Sequence, residues 1–156
     1  MIIRKAKKSD IDEIIKIADQ LRKTEAVLDA TKNMKDDSYL SSIYRKFELK
    51  YIKSRKKIFL VAVLNGRIVG YINGYIRENW EIYYKEPVAY LDCLCVDESV
   101  RNQGIGRSLI DEFISIVKAK GTKYIKLNAF ETNTPAVSLY KKLGFKEYSA
   151  YYMKQI

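Results

Sequence analysis

The sequence predicts an α/β fold, in which helices flank a mixed and mostly antiparallel central sheet, from two patterns. The dipeptide Asn65-Gly66 separates the apolar runs 57–64 and 67–77, which strongly indicates an antiparallel hairpin. A strand-like run over 88–96 precedes an amphipathic run over 105–120, which indicates a strand that leads through a short turn into a helix. Strand and helix periods therefore occur together in one chain.

The elements before the hairpin are predicted to be one strand and two helices. Residues 2–5 form the strand, and Ser9 is predicted to cap the first helix because acidic residues follow it in the first turn. The apolar face of this helix is predicted to consist of Ile11, Ile14, Ile15, Ala18 and Leu21. A loop over 24–35 leads to the second helix, whose apolar residues recur with a helical period. Its buried stripe is predicted to consist of Leu40, Ile43, Tyr44, Phe47 and Tyr51.

The elements after the hairpin alternate between strands and helices. We expect a polar, aromatic loop over 78–87, a strand over 124–129, a helix over 135–143 and closing strands after Gly144. The 156 residues have the usual size of one domain and contain no internal repeat. We therefore expect a single domain over 1–156.

Composition excludes several classes of protein. Hydrophobic residues make up 47% of the chain, which excludes general disorder. No apolar run reaches the roughly 18 residues of a membrane span, and the chain begins with charged sequence, so we expect no signal peptide and a cytoplasmic location. The chain contains no histidine, and Cys93 and Cys95 do not have the spacing of metal ligands, so we expect no metal cofactor.

The net charge of +10 raises the alternative of a nucleic-acid partner. Seven Lys and Arg residues lie between Arg45 and Lys57, interleaved with aromatic and apolar residues. Because the aromatic residues coincide with the predicted buried stripe of the second helix, the lysines are expected to form its solvated face. Nucleic-acid binding is therefore the less favoured interpretation.

A glycine-rich turn, Arg-Asn-Gln-Gly-Ile-Gly over 101–106, lies at the predicted start of the helix 105–120. The first amides of a helix have no partner within the helix, and the helix dipole is positive there, so this position suits an anion. Gly104 and Gly106 carry no side chain and tolerate unusual dihedral angles, so an anion can approach the backbone closely. The turn therefore suits a pyrophosphate better than a metal ion.

The common nucleotide-binding motifs do not match this turn. A Walker loop requires Gly-Lys-Ser/Thr at its end, whereas Arg107 and Ser108 follow Gly106. A dinucleotide fingerprint requires a third glycine where the chain has Leu109. From the six residues of the turn alone, a plain strand-to-helix connection is an equal alternative.

A second segment lies downstream and reads Asn128-Ala-Phe-Glu-Thr-Asn-Thr-Pro-Ala-Val-Ser-Leu-Tyr-Lys-Lys-Leu-Gly-Phe145. The pattern Arg-x-x-Gly-x-Gly followed by Asn-x-x-Ala-x-x-Leu-Tyr-x-x-Leu-Gly-Phe resembles the GNAT superfamily of acetyl-CoA-dependent N-acetyltransferases. The resemblance extends over nearly the whole chain. It implies the GNAT fold, acetyl-CoA as cosubstrate and direct attack of a primary amine on the thioester.

The resemblance also assigns the residues that bind CoA. In this family, the strand before the phosphate loop carries a bulge whose backbone pairs with the pantetheine arm, and the matching residues are Leu94, Cys95 and Val96. The pyrophosphate is expected on the turn and the first residues of its helix. These residues are Arg101, Asn102, Gln103, Gly104, Ile105, Gly106, Arg107 and Ser108. Both arginines have ordinary surface charge as an alternative role.

Asn133 matches the family asparagine that hydrogen-bonds the CoA arm, and it can also cap the helix that begins near Pro135. Tyr140 matches the tyrosine of the family's Leu-Tyr motif, which implies a general acid. Negative charge develops on sulfur as the CoA thiolate leaves, and a phenol beside it can donate a proton or a hydrogen bond. The alternative is that Tyr140, one of 13 tyrosines, only packs its helix against the sheet.

Asp92 is the leading candidate for the base, because an alkylammonium with a pKa of about 10.4 must lose a proton before it attacks. Strand alternation is predicted to place Tyr90, Asp92, Leu94 and Val96 on one face. The diamine (spermidine/spermine-type) acetyltransferases have a glutamate at the matching place. Asp92 is one methylene shorter, so a water relay and a purely structural, hydrogen-bonded aspartate are both alternatives. Glu78, Glu81 and Tyr90 are reserve candidates.

The acceptor is predicted to be a small cationic amine, such as a polyamine, an aminoglycoside-like amine or an amino acid. Asp92 and an acidic, aromatic loop would attract it by charge and by cation–π contact. The loop residues are Glu78, Trp80, Glu81, Tyr83, Tyr84 and Glu86. A peptide N-terminus or a protein lysine is the alternative acceptor, and a non-catalytic acyl-CoA-binding sensor or interaction domain is the alternative of another class. An exposed edge strand would offer a surface for a homodimer.

Overall fold

The computed structural model describes residues 1–29, 37–77 and 86–154, without the side chains of 37–41. Five strands and four helices lie in these ranges. The strands are β1 (Ile2–Lys5), β2 (Lys57–Leu64), β3 (Arg67–Arg77), β4 (Val88–Val96) and β5 (Tyr124–Leu127). The helices are α1 (Ile11–Leu28), α2 (Asp37–Lys53), α3 (Ile105–Ala119) and α4 (Thr134–Lys142).

The described strands form one sheet in the order β1-β2-β3-β4-β5. The pairings from β1 to β4 are antiparallel, and β4 pairs with β5 in parallel. The β2–β3 hairpin turns at Asn65 and Gly66, whose φ angles are 50° and 78°. Positive φ at both central residues is typical of the turn that matches the twist of a two-residue hairpin. The predicted mixed, mostly antiparallel sheet flanked by helices is confirmed.

Helices cover both faces of the sheet. One face packs against α1 and α2 around the buried Val61 and Tyr71. The other face packs against α3 around Ile72 and Phe113, which are also fully buried. Because successive strand residues point to opposite faces, neighbouring residues of β3 contribute to two separate cores.

Strand β4 is irregular in its middle. Asn73 pairs with Cys93 and Gly74 pairs with Leu91, so Asp92 is an extra residue without a partner on β3. This arrangement is a β-bulge. The pairing of β4 with β5 also ends at Leu91. Beyond Leu91, β3 is the one described strand that still pairs with β4, and the sheet opens on its β5 side.

Position 74, opposite the bulge, requires glycine. A Cβ atom on Gly74 would lie 2.2 Å from the carbonyl oxygen of Tyr90 and 2.7 Å from Cζ of Phe113. Phe113 is fully buried, so its ring cannot move aside without disturbing a close-packed core. The close approach of β3, β4 and α3 at the bulge therefore depends on the missing side chain.

The start of α1 differs from the prediction. The helix begins at Ile11 after a 3₁₀ turn, and Ser9 does not cap it. The Asp10 carboxylate accepts a hydrogen bond of 2.7 Å from the Lys7 amide and forms an ion pair of 2.7 Å with Arg4. The hydrogen bond from Arg4 is the main reason why the pKa of Asp10 lies below its usual range. Asp10 therefore occupies the position directly before α1, but its side chain bonds Arg4 and the Lys7 amide rather than an amide of the helix.

Element ends also differ by a few residues. Helix α1 continues to Leu28, so the loop that was expected from Thr24 begins later, while β5 ends at Leu127. The predicted apolar face of α1 is confirmed. Of its residues, Ile11, Ile14, Ile15 and Ala18 are buried and Leu21 is partly buried.

The buried stripe of α2 is only partly as predicted. Tyr44 and Tyr51 pack into the core, but Ile43 and Phe47 are 43% and 58% exposed. Glu48 lies between the two tyrosines on the same helix face and is only 5% exposed. An inward-facing acid therefore replaces an expected aromatic residue, because the contacts with α1 and the sheet, rather than polarity, select the inner face. The side chain of Leu40 lies outside the described residues.

The chain after Gly144 forms no strand in its described part, so the expected closing strands are wrong over 145–154. Aromatic side chains of this segment are highly exposed, including Tyr148, Tyr151 and Tyr152. The Tyr148 ring lies against β5, with the Lys126 ammonium 4.6 Å from the ring centroid.

Within the described ranges, no helix is both long enough and apolar enough to cross a membrane. The same residues contain no group of three or more His, Cys, Asp or Glu side chains placed to hold a metal ion.

Candidate active site

The residues expected to face the CoA arm lie on the part of β4 that β5 does not reach. Leu94, Cys95 and Val96 pair with β3 on one side, and the parallel pairing with β5 ends before them. The Cys95 side chain is buried, and its thiol donates to the Ile17 carbonyl at 3.4 Å, so this side chain is directed toward α1. The expected bulge exists, but it lies at Asp92 rather than within Leu94–Val96.

The turn before α3 exposes backbone at the head of a 15-residue helix. Residues 101–104 are exposed, and Asn102 and Gly104 have φ angles of 63° and 78°. The first turn of α3 contains no acidic residue, so no carboxylate competes for the positive end of the helix dipole. Exposed amides at a positive helix end fit the predicted pyrophosphate site. We call Leu94–Val96 and this turn together the open edge.

Gly104 and Gly106 differ in what surrounds them. No atom lies within 4 Å of a Cβ built on Gly104, so this position faces open space and needs glycine for its backbone angle. A Cβ on Gly106 would lie 3.4 Å from Leu139, 3.7 Å from Val96 and 3.9 Å from Leu94. Gly106 therefore faces protein rather than ligand, and it brings α3 close to both β4 and α4.

Polar side chains around the turn are partly engaged within the protein. Arg101 donates from Nε to the Val96 carbonyl at 3.1 Å. Arg107 lies 3.7 Å from the Asp111 carboxylate, and the Ser108 hydroxyl donates to the Gly104 carbonyl at 3.2 Å. Both arginines are exposed, so they add positive charge at the rim of the turn.

The remaining predicted residues of the turn differ in what they can offer. Gln103 is exposed, so both its amide and its side chain are accessible. The Ile105 side chain is buried in the core that packs against α3, so Ile105 can offer an anion only its backbone.

Asn133 and Tyr140 lie at opposite ends of α4. The Asn133 side chain caps the helix, since its Oδ1 accepts a hydrogen bond of 3.4 Å from the Ala136 amide. The Tyr140 ring is half-buried and packs edge-to-face on Phe145, with 5.8 Å between ring centroids. Both alternatives weighed from the sequence, capping by Asn133 and packing by Tyr140, are therefore observed, and neither excludes contact with a ligand.

The environment of Tyr140 suits a hydrogen-bond donor. Burial raises the pKa of Tyr140 to about 12, and Cys93 of β4 is the second influence in the same direction. The phenol therefore stays protonated at neutral pH. Cys93, the residue before Leu94 on β4, is within electrostatic reach of this phenol.

Asp92 projects from the bulge toward α2. Its carboxylate accepts a hydrogen bond from the Tyr51 hydroxyl and lies 4.0 Å from the Lys57 ammonium. Lys57 also donates to the Tyr51 hydroxyl at 3.2 Å. The candidate base is therefore already held by a hydrogen-bond donor and a cation of the protein itself.

Aromatic rings complete the surroundings of the Lys57 ammonium. It lies 4.2 Å from the centroid of the Tyr51 ring and 3.9 Å from that of Tyr75. Tyr75 stacks on Tyr90 with 5.3 Å between ring centroids. A carboxylate and two ring faces around one ammonium form a cation-binding arrangement.

The bulge changes which side chains share a face. Leu94 and Val96 pack with the core that faces α3, whereas Asp92 contacts α2 on the opposite face. Tyr90, through its stack on Tyr75, lies on the α2 side with Asp92. The prediction that Tyr90, Asp92, Leu94 and Val96 share one face is therefore wrong, because the extra residue at the bulge shifts the alternation.

Glu48 and Asn73 lie on the same side as Asp92 and were not among the predicted site residues. The Asn73 amide donates to Glu48 Oε2 at 3.4 Å, and Asn73 is only 2% exposed. Burial raises the pKa of Glu48 to about 7. Glu48 lies four residues after Tyr44 and three before Tyr51, a spacing that places it on the same helix face as both tyrosines. The buried stripe was predicted from apolar residues alone, so Glu48 was not included in it.

We call five residues of this region the polar cluster: Glu48, Tyr51, Lys57, Asn73 and Asp92. It lies between α2 and the sheet, next to the open edge. Five of the predicted acceptor-loop residues lie outside the described residues, and they are Glu78, Trp80, Glu81, Tyr83 and Tyr84. Glu86, the sixth, forms an ion pair with Lys123.

A model of the acetyltransferase (GNAT) family matches residues 23–145 of the chain. This match covers most of the chain and includes the open edge and the polar cluster. The protein therefore belongs to the GNAT acetyltransferase family.

Two relatives are similar to the chain over most of its length. The chain is 31% identical over 144 residues to an uncharacterised N-acetyltransferase of Methanocaldococcus jannaschii, with coverage of 81% of this chain and 63% of the relative. It is 29% identical over 150 residues to an N-alpha-acetyltransferase of Sulfurisphaera tokodaii, with coverage of 93% of this chain and 80% of the relative. The chain thus spans less than two thirds of the Methanocaldococcus protein.

The fold is also that of a solved Bacillus halodurans protein, which was crystallised as a tetramutant. The TM-score is 0.90 at 23% identity, and the alignment covers 100% of both chains. At this level of identity, the likeness concerns the fold.

Proposed function

We propose that this protein transfers an acetyl group from acetyl-CoA to a primary amine, by direct attack of the amine within a ternary complex. The open edge is the observation that carries the proposal. It combines an unpaired strand side with exposed amides at a positive helix end, which suits an extended arm joined to a pyrophosphate. Membership of an acetyltransferase family supports the same conclusion.

The donor half of the reaction uses mainly backbone groups. We assign the CoA arm to the open side of Leu94–Val96, where it hydrogen-bonds as an added strand. We assign the pyrophosphate to the backbone of 102–107, while Arg101 and Arg107 supply further positive charge and the Ser108 hydroxyl can add a hydrogen bond. Asn133, at the start of α4, is assigned to the arm as well as to its helix cap.

Tyr140 is assigned the role of proton donor. The acetyl transfer leaves negative charge on the CoA sulfur, and a protonated phenol stabilises it by a hydrogen bond or proton transfer. Two observations support the assignment: the phenol is protonated at neutral pH, and it lies within electrostatic reach of Cys93 beside the open edge.

The acceptor half suits a cationic amine. Asp92, Tyr51 and Tyr75 surround the Lys57 ammonium, so the surface carries the carboxylate and ring faces that bind an ammonium group. A small amine, such as a polyamine, an aminoglycoside-like amine or an amino acid, is therefore the acceptor that we favour. Because Asp92 is held by Tyr51 and Lys57, we assign it the attraction and orientation of the acceptor, while its role as base stays a prediction.

The α-amine of a peptide is the second candidate acceptor. The relative from Sulfurisphaera tokodaii is named an N-alpha-acetyltransferase, and its alignment covers 93% of this chain. A peptide N-terminus is also a primary amine that enters as an ammonium, so the same polar cluster can serve it.

The test is acetyl-CoA-dependent thiol release across polyamines, aminoglycosides, amino acids and short peptides, with calorimetric titration of CoA in parallel. Turnover on one class supports the proposed activity and identifies the acceptor. Tight CoA binding without turnover on any class would favour the alternative of an acyl-CoA-binding sensor. Absence of CoA binding would overturn the proposal.

A further inference from the structure

We propose that Glu48 is the general base that takes the proton from the acceptor ammonium, with Asn73 Oδ1 holding the amine beside it. This inference rests on the proposed function and names the group that activates the acceptor. The sequence pattern favours Asp92 for this role, and the polar cluster contains both carboxyl groups.

Glu48 and Asn73 form a buried polar pair on the inner side of α2. They are 5% and 2% exposed, and the Asn73 amide donates to Glu48 Oε2 at 3.4 Å. Within the described part of the chain, no group hydrogen-bonds Asn73 Oδ1. A buried carbonyl oxygen without a partner is costly, so it calls for a donor that the protein itself does not supply. An ammonium or amine N–H is such a donor.

The pair lies where the acetyl group is expected. Asn73 is paired with Cys93 across the strands, directly before Leu94 and the open edge. Glu48 acts electrostatically on Cys93, and Cys93 acts on Tyr140, so the electrostatic influence of both groups extends to this residue of β4. The proposal places the acceptor nitrogen and the thioester between the base and the acid.

Asp92 is less available to an acceptor amine than Glu48 is. Its carboxylate already accepts a hydrogen bond from Tyr51 and faces the Lys57 ammonium at 4.0 Å, so two groups of the protein already contact it. Glu48 accepts a hydrogen bond from the Asn73 amide, and burial raises the pKa of its carboxyl group.

The proton affinity of Glu48 is matched to neutral pH. Burial raises the pKa of Glu48 to about 7, which is close to the value that suits a base working near pH 7. The titratable groups that face it are Tyr51 on its own helix, Tyr71 on β3 and Cys93 on β4. Burial raises the pKa of each of these three groups, so all are neutral in this range. On α1, the negative charge of Glu25 also raises the pKa of Cys93.

The acceptor nitrogen loses two protons during the acetyl transfer. The acceptor ammonium gives one proton to the Glu48 carboxylate, and its nitrogen lone pair forms the N–C bond to the thioester carbonyl. The C–S bond then breaks, and the sulfur takes its proton from Tyr140. The second proton of the nitrogen returns to Tyr140 through solvent, while Glu48 releases its proton to water. The products are the acetylated amine, CoA with a free thiol and one proton.

The first test is the pH dependence of kcat/KM in Glu48→Gln, which keeps the size of the side chain, compared with Asp92→Asn. We expect the Glu48 variant to lose about 100-fold or more in kcat/KM and to lose the acid limb near pH 7. Asp92→Asn should keep that limb. Unchanged affinity for CoA in both variants, measured by calorimetry, shows that the donor half is intact.

The second test does not depend on a variant that folds. Carbon-13 labelling of the glutamate side chains allows their carboxyl resonances to be titrated in the wild-type protein. We expect one resonance with a midpoint about two pH units or more above the others. The absence of such a resonance would overturn the assignment to Glu48.

The outcomes separate the inference from the proposed function. If the wild-type protein turns over an amine and Glu48→Gln keeps its full kcat/KM and its acid limb, the inference is wrong and the proposed function stands. If instead Asp92→Asn loses the limb, the base is Asp92. If the wild-type protein acetylates no amine, the proposed function fails and the inference fails with it.

Discussion

The open edge and the polar cluster meet on β4, but they are built from different parts of the chain. The open edge consists largely of backbone: the unpaired side of Leu94–Val96 and the exposed amides of the turn before α3. The polar cluster consists of side chains from α2, β2, β3 and β4. One region is local in sequence, whereas the other is assembled from four elements.

The two halves of the site are therefore sensitive to different kinds of substitution. A backbone site depends on dihedral angles and on the register of strands, so it tolerates many side-chain changes but not a change in backbone geometry. A side-chain cluster depends on individual functional groups in a buried setting, where removal of one partner leaves another unsatisfied. Substitutions in the open edge should therefore change the affinity for CoA, whereas substitutions in the polar cluster should change activity and stability.

The largest effect is expected at Tyr140, the proposed proton donor on α4. Tyr140→Phe removes the phenolic hydroxyl and keeps the ring that packs on Phe145. We expect kcat to fall by about 100-fold or more, because the leaving sulfur loses its donor, while the Kd for CoA changes little. Steady-state kinetics and calorimetry measure the two quantities.

Tyr148→Phe is the matched control for Tyr140→Phe, because Tyr148 is 80% exposed and lies after α4. It should leave kcat unchanged. Equal kcat values for the Tyr140 variant and the wild type would show that Tyr140 only packs its helix.

The second effect concerns the stability of the polar cluster. Burial raises the pKa of Glu48 from its ordinary value of 4.5 to about 7, so the folded protein holds this proton more tightly than the unfolded chain. The free energy of unfolding of the wild type therefore falls as pH rises from about 4.5 to about 7, and it falls no further from this cause above pH 7. Glu48→Gln removes the cost, so it should stabilise the protein by up to about 3 kcal/mol at pH 8 and by little at pH 4.

Chemical denaturation at both pH values measures this difference in the free energy of unfolding. Glu112→Gln, an exposed carboxyl on α3, is the control and should show no such gain. A Glu48 variant that is equally stable relative to the wild type at both pH values would mean that the carboxyl titrates alike in folded and unfolded protein. Higher stability with lower activity would identify Glu48 as a group retained for function at a cost to folding.

The smallest effect is expected at the open edge. Gly104 has a φ of 78°, a conformation that a β-branched residue adopts only under strain. Gly104→Val should therefore distort the turn and weaken CoA binding by about tenfold, or roughly 1.4 kcal/mol. Calorimetric titration of CoA gives the change in Kd.

Gly66→Val is a closely matched control for Gly104→Val. Gly66 also has a φ of 78° and open space around it, but it lies in the β2–β3 hairpin. The Gly66→Val variant should lose about as much stability as Gly104→Val, but it should keep the wild-type affinity for CoA. If both variants bind CoA as the wild type does, the phosphate site lies elsewhere.

The sequence predicted the open edge well because its signals are local. The glycine turn, the strand before it and the helix after it are contiguous, and the hairpin at Asn65 and Gly66 follows from two adjacent residues. These elements appear in the structure at nearly the expected positions. The cap at Ser9 was wrong because a distant partner, Arg4, draws Asp10 into the turn instead.

The polar cluster was only partly predictable because its signals are not local. Asp92 stands out as an acid in an apolar strand, but nothing nearby in sequence indicates that Tyr51 and Lys57 will hold it. In the sequence, Glu48 stands among the charged residues of α2, which are typical of a solvated helix face. Its burial then follows from the packing of α2 against α1 and the sheet.

By itself, the sequence determined most of the elements, their order, the family motifs and the glycine turn before α3, because dihedral preferences and short periods act over a few residues. Tertiary structure alone decided the face to which Asp92 points and the burial of Glu48. Both depend on strand register and helix docking, and the extra residue at the bulge reverses the face of the side chains that follow it.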